Sequence, residues 1–300
     1  MSDRYYIHLA ETSKDTQTQL GLSMDASEYI RMALAYNPSI GLDIISRLFE
    51  DSSERVRDII ARRSDIPRLM LLNLARDKSA TVRFGVAQNP SISPDILVQL
   101  ATDKDRVVRQ GVARSESTPQ DILGYLARDE NEYVRATVAE SKRLSPSMFT
   151  ILAHDKRSSV RGAVAQNTSA PTDILKLLAR DTEWFIRNCV VENTSTPLHL
   201  LWILAEDKSW SLRQSLPRNK GISLELLNKL AKDAYWQVRR AVACSPVASP
   251  ELLTELSRDE DWHVRAAVAE NENTPLEVLE MLTHDSKSII CDIAEEMVTC

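Results

Sequence analysis

The sequence predicts an all-α protein of about eleven stacked helix-pair repeats, each 26 residues long, because two columns of identical residues run along it. Leucine recurs at an unbroken spacing of 26 residues, from Leu22 to Leu282. Aspartate follows each of these leucines three residues later, from Asp25 to Asp285. Self-similarity at one fixed period is typical of a solenoid, in which each repeat packs mainly on its neighbours.

An arginine lies six residues after each aspartate, from Arg31 to Arg265, and only the last repeat has Cys291 there. Such a column is either a phosphate-binding stripe or a structural ladder that pairs arginines with aspartates and carbonyls at the turns. Eleven aspartates nearly cancel ten arginines, and buried charges need hydrogen-bonded partners, so we favour the ladder. Its central members are Asp77, Arg83, Asp103, Arg109, Asp129, Arg135, Asp155, Arg161, Asp181 and Arg187.

The first helix of a repeat is predicted from a serine-proline or threonine-proline pair. In Ser93-Pro94, the serine caps free amides and the proline fits the first helical position. Apolar residues then form one helical face. The same signal recurs at Thr118, Ser145, Thr196, Ser249 and Thr274.

The second helix is expected to follow a tight turn at the aspartate, which in one repeat is Asp103 and can cap that helix. Asn37-Pro38 and Asn89-Pro90 predict helix ends, since asparagine tolerates the left-handed end conformation and proline cannot continue a helix. Helices this short are marginal in isolation, so their stability must come from stacking.

Pro217 replaces the usual alanine near the end of one second helix. It removes a backbone donor and clashes with the carbonyl of Arg213, so that helix should end early or kink. A local bend between repeats follows, and a functional hinge is a further hypothesis.

The repeat shows no compositional break, so we expect one continuous domain. It has an N-terminal cap over 1–19, tandem repeats over 20–284 and a C-terminal capping helix over 285–300. Asp292, Glu295 and Glu296 give the last helix the polar face that a terminal cap requires.

The pattern D-x4-[VIL]-R-x2-[VL]-A-x-N, followed by S/T-P-x-x-L-L-x-x-L-A-x-D, resembles the leucine-rich repeat variant family and is similar to HEAT repeats. The resemblance covers about 280 of the 300 residues. It implies a right-handed α-solenoid, a superhelix of helix pairs in which one helix per repeat is α or 3₁₀. The family's best-known architecture adds a cysteine-ligated iron–sulfur module. Residues 1–24 hold no cysteine, so we expect no such cofactor.

Composition argues against several functional classes. The net charge of −6 disfavours a dedicated nucleic-acid binder, which neutralises phosphates with a basic stripe. The four cysteines (Cys189, Cys244, Cys291 and Cys300) are far apart, so we expect neither disulfides nor a zinc site. Neither a signal peptide nor a membrane span is evident, and we expect a cytoplasmic protein.

The histidines give no catalytic pattern. They fall in different repeats at mixed positions, namely His8, His154, His199, His263 and His284. No Ser/His/Asp set, H-E-x-x-H motif or metal-ligand spacing accompanies them. We therefore expect no catalytic, cofactor or metal site, and a protein that is not an enzyme.

Tryptophan occupies one equivalent position, three residues after the aspartate, in four consecutive repeats: Trp184, Trp210, Trp236 and Trp262. It either forms an aromatic track that grips an extended peptide or covers the start of a neighbouring helix. Earlier repeats have Glu, Ala, Arg or Ser there, so the fold does not demand tryptophan.

A second candidate surface is an apolar strip on the first helices. It contains Tyr125, Ile151, Leu177 and Ile203, with Trp202 beside the last. A contiguous apolar strip with a polar rim often marks a protein interface, and partial burial against the next repeat is the alternative.

The sequence thus predicts a non-enzymatic scaffold, a monomer that presents an extended curved surface to a protein or extended peptide. The C-terminal half, with the four tryptophans, is the expected contact zone. The alternative is a nucleic-acid-binding or DNA-repair protein of the HEAT-like kind. A maturation or lyase accessory role is compatible with the repeats, but no residue motivates it.

Overall fold

The computed structural model describes residues 2–299, with side chains from Arg4 onwards; Met1 and Cys300 lie outside the description. Over this range the chain forms 23 α-helices, one 3₁₀ turn (Leu216–Arg218) and no strand. The helices are α1 (Ser2–Thr12), α2 (Thr16–Leu22), α3 (Glu28–Tyr36), α4 (Leu42–Phe49), α5 (Glu54–Arg62), α6 (Arg68–Leu74), α7 (Ala80–Ala87), α8 (Pro94–Leu100), α9 (Arg106–Arg114), α10 (Gln120–Leu126), α11 (Glu132–Ala139), α12 (Pro146–Ala153), α13 (Ser158–Gln166), α14 (Thr172–Leu178), α15 (Trp184–Glu192), α16 (Leu198–Leu204), α17 (Trp210–Arg213), α18 (Leu224–Leu230), α19 (Trp236–Ala243), α20 (Pro250–Leu256), α21 (Trp262–Ala269), α22 (Leu276–Leu282) and α23 (Ser288–Thr299).

The chain divides into two compact units, the N-terminal unit (Met1–Met148) and the C-terminal unit (Phe149–Cys300). In each unit the odd-numbered helices, which are the second helices of the repeats, pack on one another in a row. The even-numbered first helices pack on the second helices beside them. The predicted all-α architecture of repeated helix pairs is confirmed.

Three apolar columns form the core of both units. All eleven leucines of the 26-residue column, at the ends of the first helices, are buried. Two further columns lie on the second helices, from Ile30 to Ile290 and from Leu34 to Ala294, and they are buried throughout. Each fully buried aliphatic side chain contributes roughly 1.5–3 kcal/mol, so stacking stabilises helices that are only one or two turns long.

A ladder of bidentate ion pairs joins successive repeats at the turn before each second helix. The Arg83 guanidinium donates through Nε and Nη2 to both carboxylate oxygens of Asp103 in the next repeat, at 2.6 and 2.9 Å. Its Nη1 donates to the carbonyl oxygen of Asp77 in its own repeat, at 2.8 Å. The same three bonds are made by Arg31, Arg57, Arg109, Arg161, Arg187, Arg213, Arg239 and Arg265. Arg135 donates likewise to the carbonyl of Asp129.

Each ladder aspartate also shapes the turn that contains it. Asp103 Oδ1 accepts a hydrogen bond from the backbone amide of Asp105, at 2.8 Å. Helix α9 begins one residue later, and its cap is Asp105, which accepts from the amide of Val107. The expectation that Asp103 itself caps the second helix is therefore wrong. Asp103 lies two residues before the capping residue, and its carboxylate accepts hydrogen bonds from Arg83.

A second ladder, made by asparagines, crosses the turn at the other end of the second helices. Asn89 Nδ2 donates to the carbonyls of Ala61 and Arg63 in the preceding repeat, at 2.6 and 2.8 Å. Asn37, Asn193, Asn219 and Asn271 do the same one repeat back. These carbonyls belong to helix ends, which lack partners inside their own helix.

The left-handed conformation predicted for Asn37 and Asn89 is wrong. No described residue has a positive φ, and Asn37 has φ −65° and ψ 119°. The proline after each of these two residues favours extended backbone. Asn193 and Asn219 have the same extended backbone with no proline after them, and they share with Asn37 the side-chain bonds to the preceding repeat.

The serine-proline and threonine-proline signals mark the correct helix starts, but only Ser145 and Ser249 cap them, and the cap predicted for Ser93 is wrong because its side chain makes no bond to a helix amide. Ser249 accepts from the amide of Leu252. The buried Thr118 hydroxyl instead donates to the carbonyl of Val112, at 2.6 Å, as Thr196 and Thr274 do to the equivalent valines. The threonines thus satisfy the end of the preceding helix, and the prediction that they act as caps is wrong.

The early helix end predicted at Pro217 is confirmed. Helix α17 is only four residues long and stops at Arg213, and a 3₁₀ turn over Leu216–Arg218 completes the segment. Proline cannot donate to the carbonyl four residues earlier. The buried columns continue through the interruption, because Leu212 and Leu216 are fully buried.

Both ends of the chain adapt the repeat. Helix α1 packs on α3 as a second helix would, and Asn37 donates to the carbonyls of Ala10 and Ser13. At the other end, the Cys291 thiol donates to the carbonyl of Asp285, at 3.2 Å, where other repeats have the guanidinium. The limits 1–19 and 285–300 for the two caps remain predictions.

Replacing Arg83 by lysine should lower the free energy of unfolding by about 2 kcal/mol, because an ammonium cannot make the bidentate bond and reach the Asp77 carbonyl together. The exposed Arg55, whose Nη1 lies 3.3 Å from Glu28, provides the matched control, and Arg55→Lys should cost under about 1 kcal/mol. Urea denaturation followed by circular dichroism measures both. Equal losses would contradict a structural role for the ladder.

Stability should also fall in acid. Burial raises the pKa of Asp103, but hydrogen bonds from Arg83 and the Asp105 amide outweigh it, and the net pKa is lowered. The pKa values of Asp77, Asp181, Asp207, Asp233 and Asp285 are lowered likewise. A lowered folded-state pKa stabilises the fold above the unfolded value of about 3.9, and this stability is lost as pH falls through the folded value.

Urea denaturation at pH 7, 5, 4 and 3 should therefore give a nearly constant free energy of unfolding down to about pH 5 and a steep loss below about pH 4. In Asp103→Asn, which is less stable at neutral pH, the loss in acid should be shallower. A loss that begins near pH 6 would assign the acid sensitivity to histidine instead.

Candidate partner-binding surface

The four tryptophans begin four consecutive second helices of the C-terminal unit, α15, α17, α19 and α21. Each ladder aspartate fixes the turn just before its helix, as Asp181 and Asp207 do by accepting the amides of Glu183 and Ser209. The first helical residue therefore recurs at one edge of the helix row. We call Trp184, Phe185, Trp210, Tyr235, Trp236 and Trp262 the aromatic edge.

Exposure varies along the aromatic edge. The exposed fraction is 51% for Trp184, 46% for Tyr235 and 36% for Phe185. Trp210, Trp236 and Trp262 are half-buried. The sequence offered two interpretations of the tryptophans, covering a neighbouring helix or forming an exposed aromatic track. Trp210, Trp236 and Trp262 fit the first, and Trp184 fits the second.

The half-buried tryptophans stack on rings nearby. Trp236 lies on the His263 imidazole, with ring centroids 4.3 Å apart and planes 13° apart, and Trp262 lies on the same imidazole at 3.7 Å. Trp210 stacks on Tyr235 at 6.0 Å. His263 Nδ1 is 2.9 Å from Asp261 Oδ1, which also accepts the His263 amide. This cluster is held from several sides.

Trp184 differs because of the residue across from it. Trp236 stacks on His263, the second residue of the next second helix in the row. The equivalent residue for Trp184 is Ser211, which has no ring. Within residues 2–299, no aromatic ring stacks on Trp184. An indole face is therefore open beside Phe185.

In the N-terminal unit the same two helix positions carry charged groups. Glu28, which begins α3, pairs with Arg55, the second residue of α5. Arg106, which begins α9, places its guanidinium carbon 4.8 Å from the ring centroid of Tyr133, the second residue of α11. Side chains at these positions thus meet across the gap between repeats.

The predicted apolar strip lies on the first helices and falls in both units. Tyr125 is on α10 of the N-terminal unit and is exposed. On the C-terminal unit, Leu177, Trp202 and Ile203 are exposed and Ile151 is half-buried. The column then turns polar at Lys229, whose ammonium is 2.5 Å from Glu206. The C-terminal part is a small apolar surface on the helix row opposite to the aromatic edge.

An open cleft of about 970 Å³ lies in the N-terminal unit beside Tyr125. Its lining is of mixed charge, with Lys104 and Arg128 against Asp121 and Glu130. The other charged groups there, Asp103, Arg109 and Asp129, belong to the ladder. The cleft has no pair of groups arranged for proton transfer or nucleophilic attack.

Two of the described cysteines have thiols of lowered reactivity. Burial raises the pKa of the Cys189 and Cys244 thiols, which disfavours the reactive thiolate. Among the described residues, no three His, Cys, Asp or Glu side chains gather as metal ligands. Within 2–299 there is also no helix with the length and apolar character needed to span a membrane.

Comparison with known proteins bears on the fold. The family model described as leucine rich repeat variant matches residues 80–105 and 262–286. A solved structure described as a leucine-rich repeat variant with a novel repetitive structural motif is 27% identical, with a TM-score of 0.58 over 74% of this chain and 88% of that one. The resemblance to the leucine-rich repeat variant family is confirmed.

Two designed proteins are also similar. A designed armadillo repeat protein is 14% identical over 95% of this chain and 99% of that one, with a TM-score of 0.15. Another, described as designed for modular peptide recognition, is 13% identical over 98% of each chain, with a TM-score of 0.14. TM-scores this low carry no inference about function. No curated protein sequence matches the chain significantly.

The aromatic edge leads to a prediction about stability. Trp262→Ala should lower the free energy of unfolding by about 1–3 kcal/mol, because the indole is half-buried and stacked. Trp184→Ala should cost under about 1 kcal/mol, since half of that side chain is already in water. Urea denaturation compares the two variants. A larger loss for Trp184→Ala would assign Trp184 to the core and remove it from the candidate surface.

Proposed function

We propose that this chain, whose repeats are of the leucine-rich repeat variant type, is a non-enzymatic scaffold that binds a protein or an extended peptide along its aromatic edge. The observation that carries the proposal is the open face of Trp184 beside the exposed Phe185. Large aromatic side chains at the centre of an interface supply much of its binding energy, and tryptophan is enriched at such positions.

The rigidity of the aromatic edge supports this role. The Arg187 guanidinium, on the same helix as Trp184, is bonded to both oxygens of Asp207, and Arg213 links α17 in the same way to Asp233. Trp184 is therefore mounted on a helix tied to its neighbour. A preorganised surface loses little entropy when it binds, so more of the contact energy appears as affinity.

Two observations favour binding over catalysis. The pKa values of the Cys189 and Cys244 thiols are raised, so these thiols are poor nucleophiles at neutral pH. The cleft beside Tyr125 is open, and the Arg109 guanidinium that lines it is held by the ladder. Catalytic sites instead place a nucleophile, a base and a stabilising donor within hydrogen-bond reach of one another.

The ladder weakens the case for a nucleic-acid-binding protein, because the arginine column was the feature that favoured it. A phosphate-binding stripe needs guanidinium groups free to meet phosphates, as in other nucleic-acid-binding proteins. In nine of the ten ladder arginines, the described contacts already include both oxygens of an aspartate and a backbone carbonyl. We therefore retain only the scaffold as the proposed function.

We also propose that the scaffold acts as a monomer in the cytoplasm. Cys291 stands where other repeats have the ladder arginine, so position 291 provides no guanidinium to the ladder. Asp292, Glu295 and Glu296 are exposed and give α23 a charged face. One apolar residue of the same helix, Ile289, is also exposed.

Panning a random peptide library on the immobilised protein tests the proposed function. Wild type should enrich peptides that the double variant Trp184→Ala/Phe185→Ala retains at least about tenfold less well, a loss typical of one or two interface hot spots. The control is Tyr29→Ala, which removes a more exposed ring, at 60% against 36% for Phe185, from the position of Phe185 in the N-terminal unit. Enrichment that is the same on the wild type and the double variant would contradict the proposal.

A further inference from the structure

We infer that the partner of the aromatic edge is an extended segment containing arginine, and that an arginine of this segment lies flat on the open face of Trp184. The inference rests on the proposed function and names its ligand class. It is argued from how the chain fills equivalent places with its own side chains, and from the charge around Trp184.

Guanidinium groups already occupy aromatic faces between neighbouring second helices. The Arg106 guanidinium carbon is 4.8 Å from the Tyr133 ring centroid, in the positions that correspond to those of Trp184 and Ser211. Arg62 lies 5.4 Å over Phe84 and Arg213 lies 5.6 Å over Tyr235, each across one repeat. The gap between repeats therefore accommodates a planar cation on a ring.

At Trp184 the chain provides the ring, and no described aromatic ring or guanidinium lies over it. Ser211 is too short to lie over the indole, and half of the Trp184 side chain is exposed. Tryptophan is the strongest of the aromatic side chains in attracting a cation to its face. A guanidinium from another chain fits there as Arg106 fits on Tyr133.

The charge next to the indole selects a cation. Glu183, directly before Trp184, is exposed, and its carboxylate forms no ion pair of 4 Å or less with any described residue. A carboxylate beside an aromatic face can accept hydrogen bonds from the edge of a guanidinium while the ring contacts its plane. Lysine offers neither the plane nor the fork.

The wider surface has the same sign. Residues 149–300 contain 22 Asp and Glu against 17 Lys and Arg, whereas residues 1–148 contain 21 against 20. An acidic surface attracts a basic segment and speeds its encounter.

The test uses three labelled peptides with one sequence pattern, four Ser-X pairs in which X is Arg, Lys or Glu. Fluorescence anisotropy measures the Kd of each for the full-length protein. The arginine peptide should bind at least about fivefold more tightly than the lysine peptide, because lysine lacks the planar fork. The glutamate peptide should not bind.

Variants assign the site. Trp184→Ala should weaken the arginine peptide about tenfold and remove its advantage over lysine, whereas Trp184→Phe should retain most of both, since it keeps a ring face. Glu183→Gln should weaken binding a few-fold. Tyr29→Ala, exposed on the N-terminal unit, should change nothing. Circular dichroism confirms that each variant keeps its helical content.

The outcomes separate this inference from the proposed function. Equal affinity for the arginine and lysine peptides, or unchanged arginine binding by Trp184→Ala, overturns the inference. If library peptides depend on Trp184 and Phe185 but lack arginine, and the arginine peptide does not bind, the scaffold function stands and the arginine inference fails. If library panning and all three peptides give no binding that depends on Trp184, both fail.

Discussion

Within each of the two units, the bidentate bond from a ladder arginine to the aspartate of the next repeat is the interaction on which the rest of the structure depends. One guanidinium holds a carbonyl of its own repeat and a carboxylate of the following one. That carboxylate in turn fixes the turn from which the next second helix starts. The bond thus sets both the spacing of the repeats and the position of every second helix, and the leucine and valine columns pack within this frame.

The positions outside the ladder carry the differences between repeats. The first residue of a second helix lies at the same place in each repeat but is Glu28 in one, Arg106 in another and Trp184 in a third. Because the ladder holds the repeats in place, the fold tolerates different residues at these positions. The same backbone arrangement therefore supports an ion pair, a cation–π contact, a stacked Trp–His cluster or an open indole. The open indole is the one that we propose as the partner-binding site.

The sequence predicts the parts of the fold that depend on local pattern, and it misjudges those that depend on the neighbouring repeat. The 26-residue period, the buried leucines and the early helix end at Pro217 follow from periodicity and proline geometry. The sequence alone gives the wrong backbone conformation for Asn89 and the wrong bonding partner for Thr118. The side chains of both residues donate to helix-end carbonyls, whose positions only the stacked structure reveals. Likewise, the tryptophan column was visible in sequence, but which indole stays open depends on whether His263 or Ser211 lies opposite.

A double-mutant cycle on Arg83 and Asp103 tests the central claim most directly. Their side chains are 7% and 10% exposed, whereas the control pair Arg55 and Glu28 is far more open at 59% and 35%. With both partners of each pair changed to alanine singly and together, the coupling energy from urea denaturation should be about 2–3 kcal/mol for Arg83–Asp103 and under about 1 kcal/mol for the control. A coupling for Arg83–Asp103 no larger than that of the control would contradict the account, because the arginine–aspartate bond would then not be what joins the repeats.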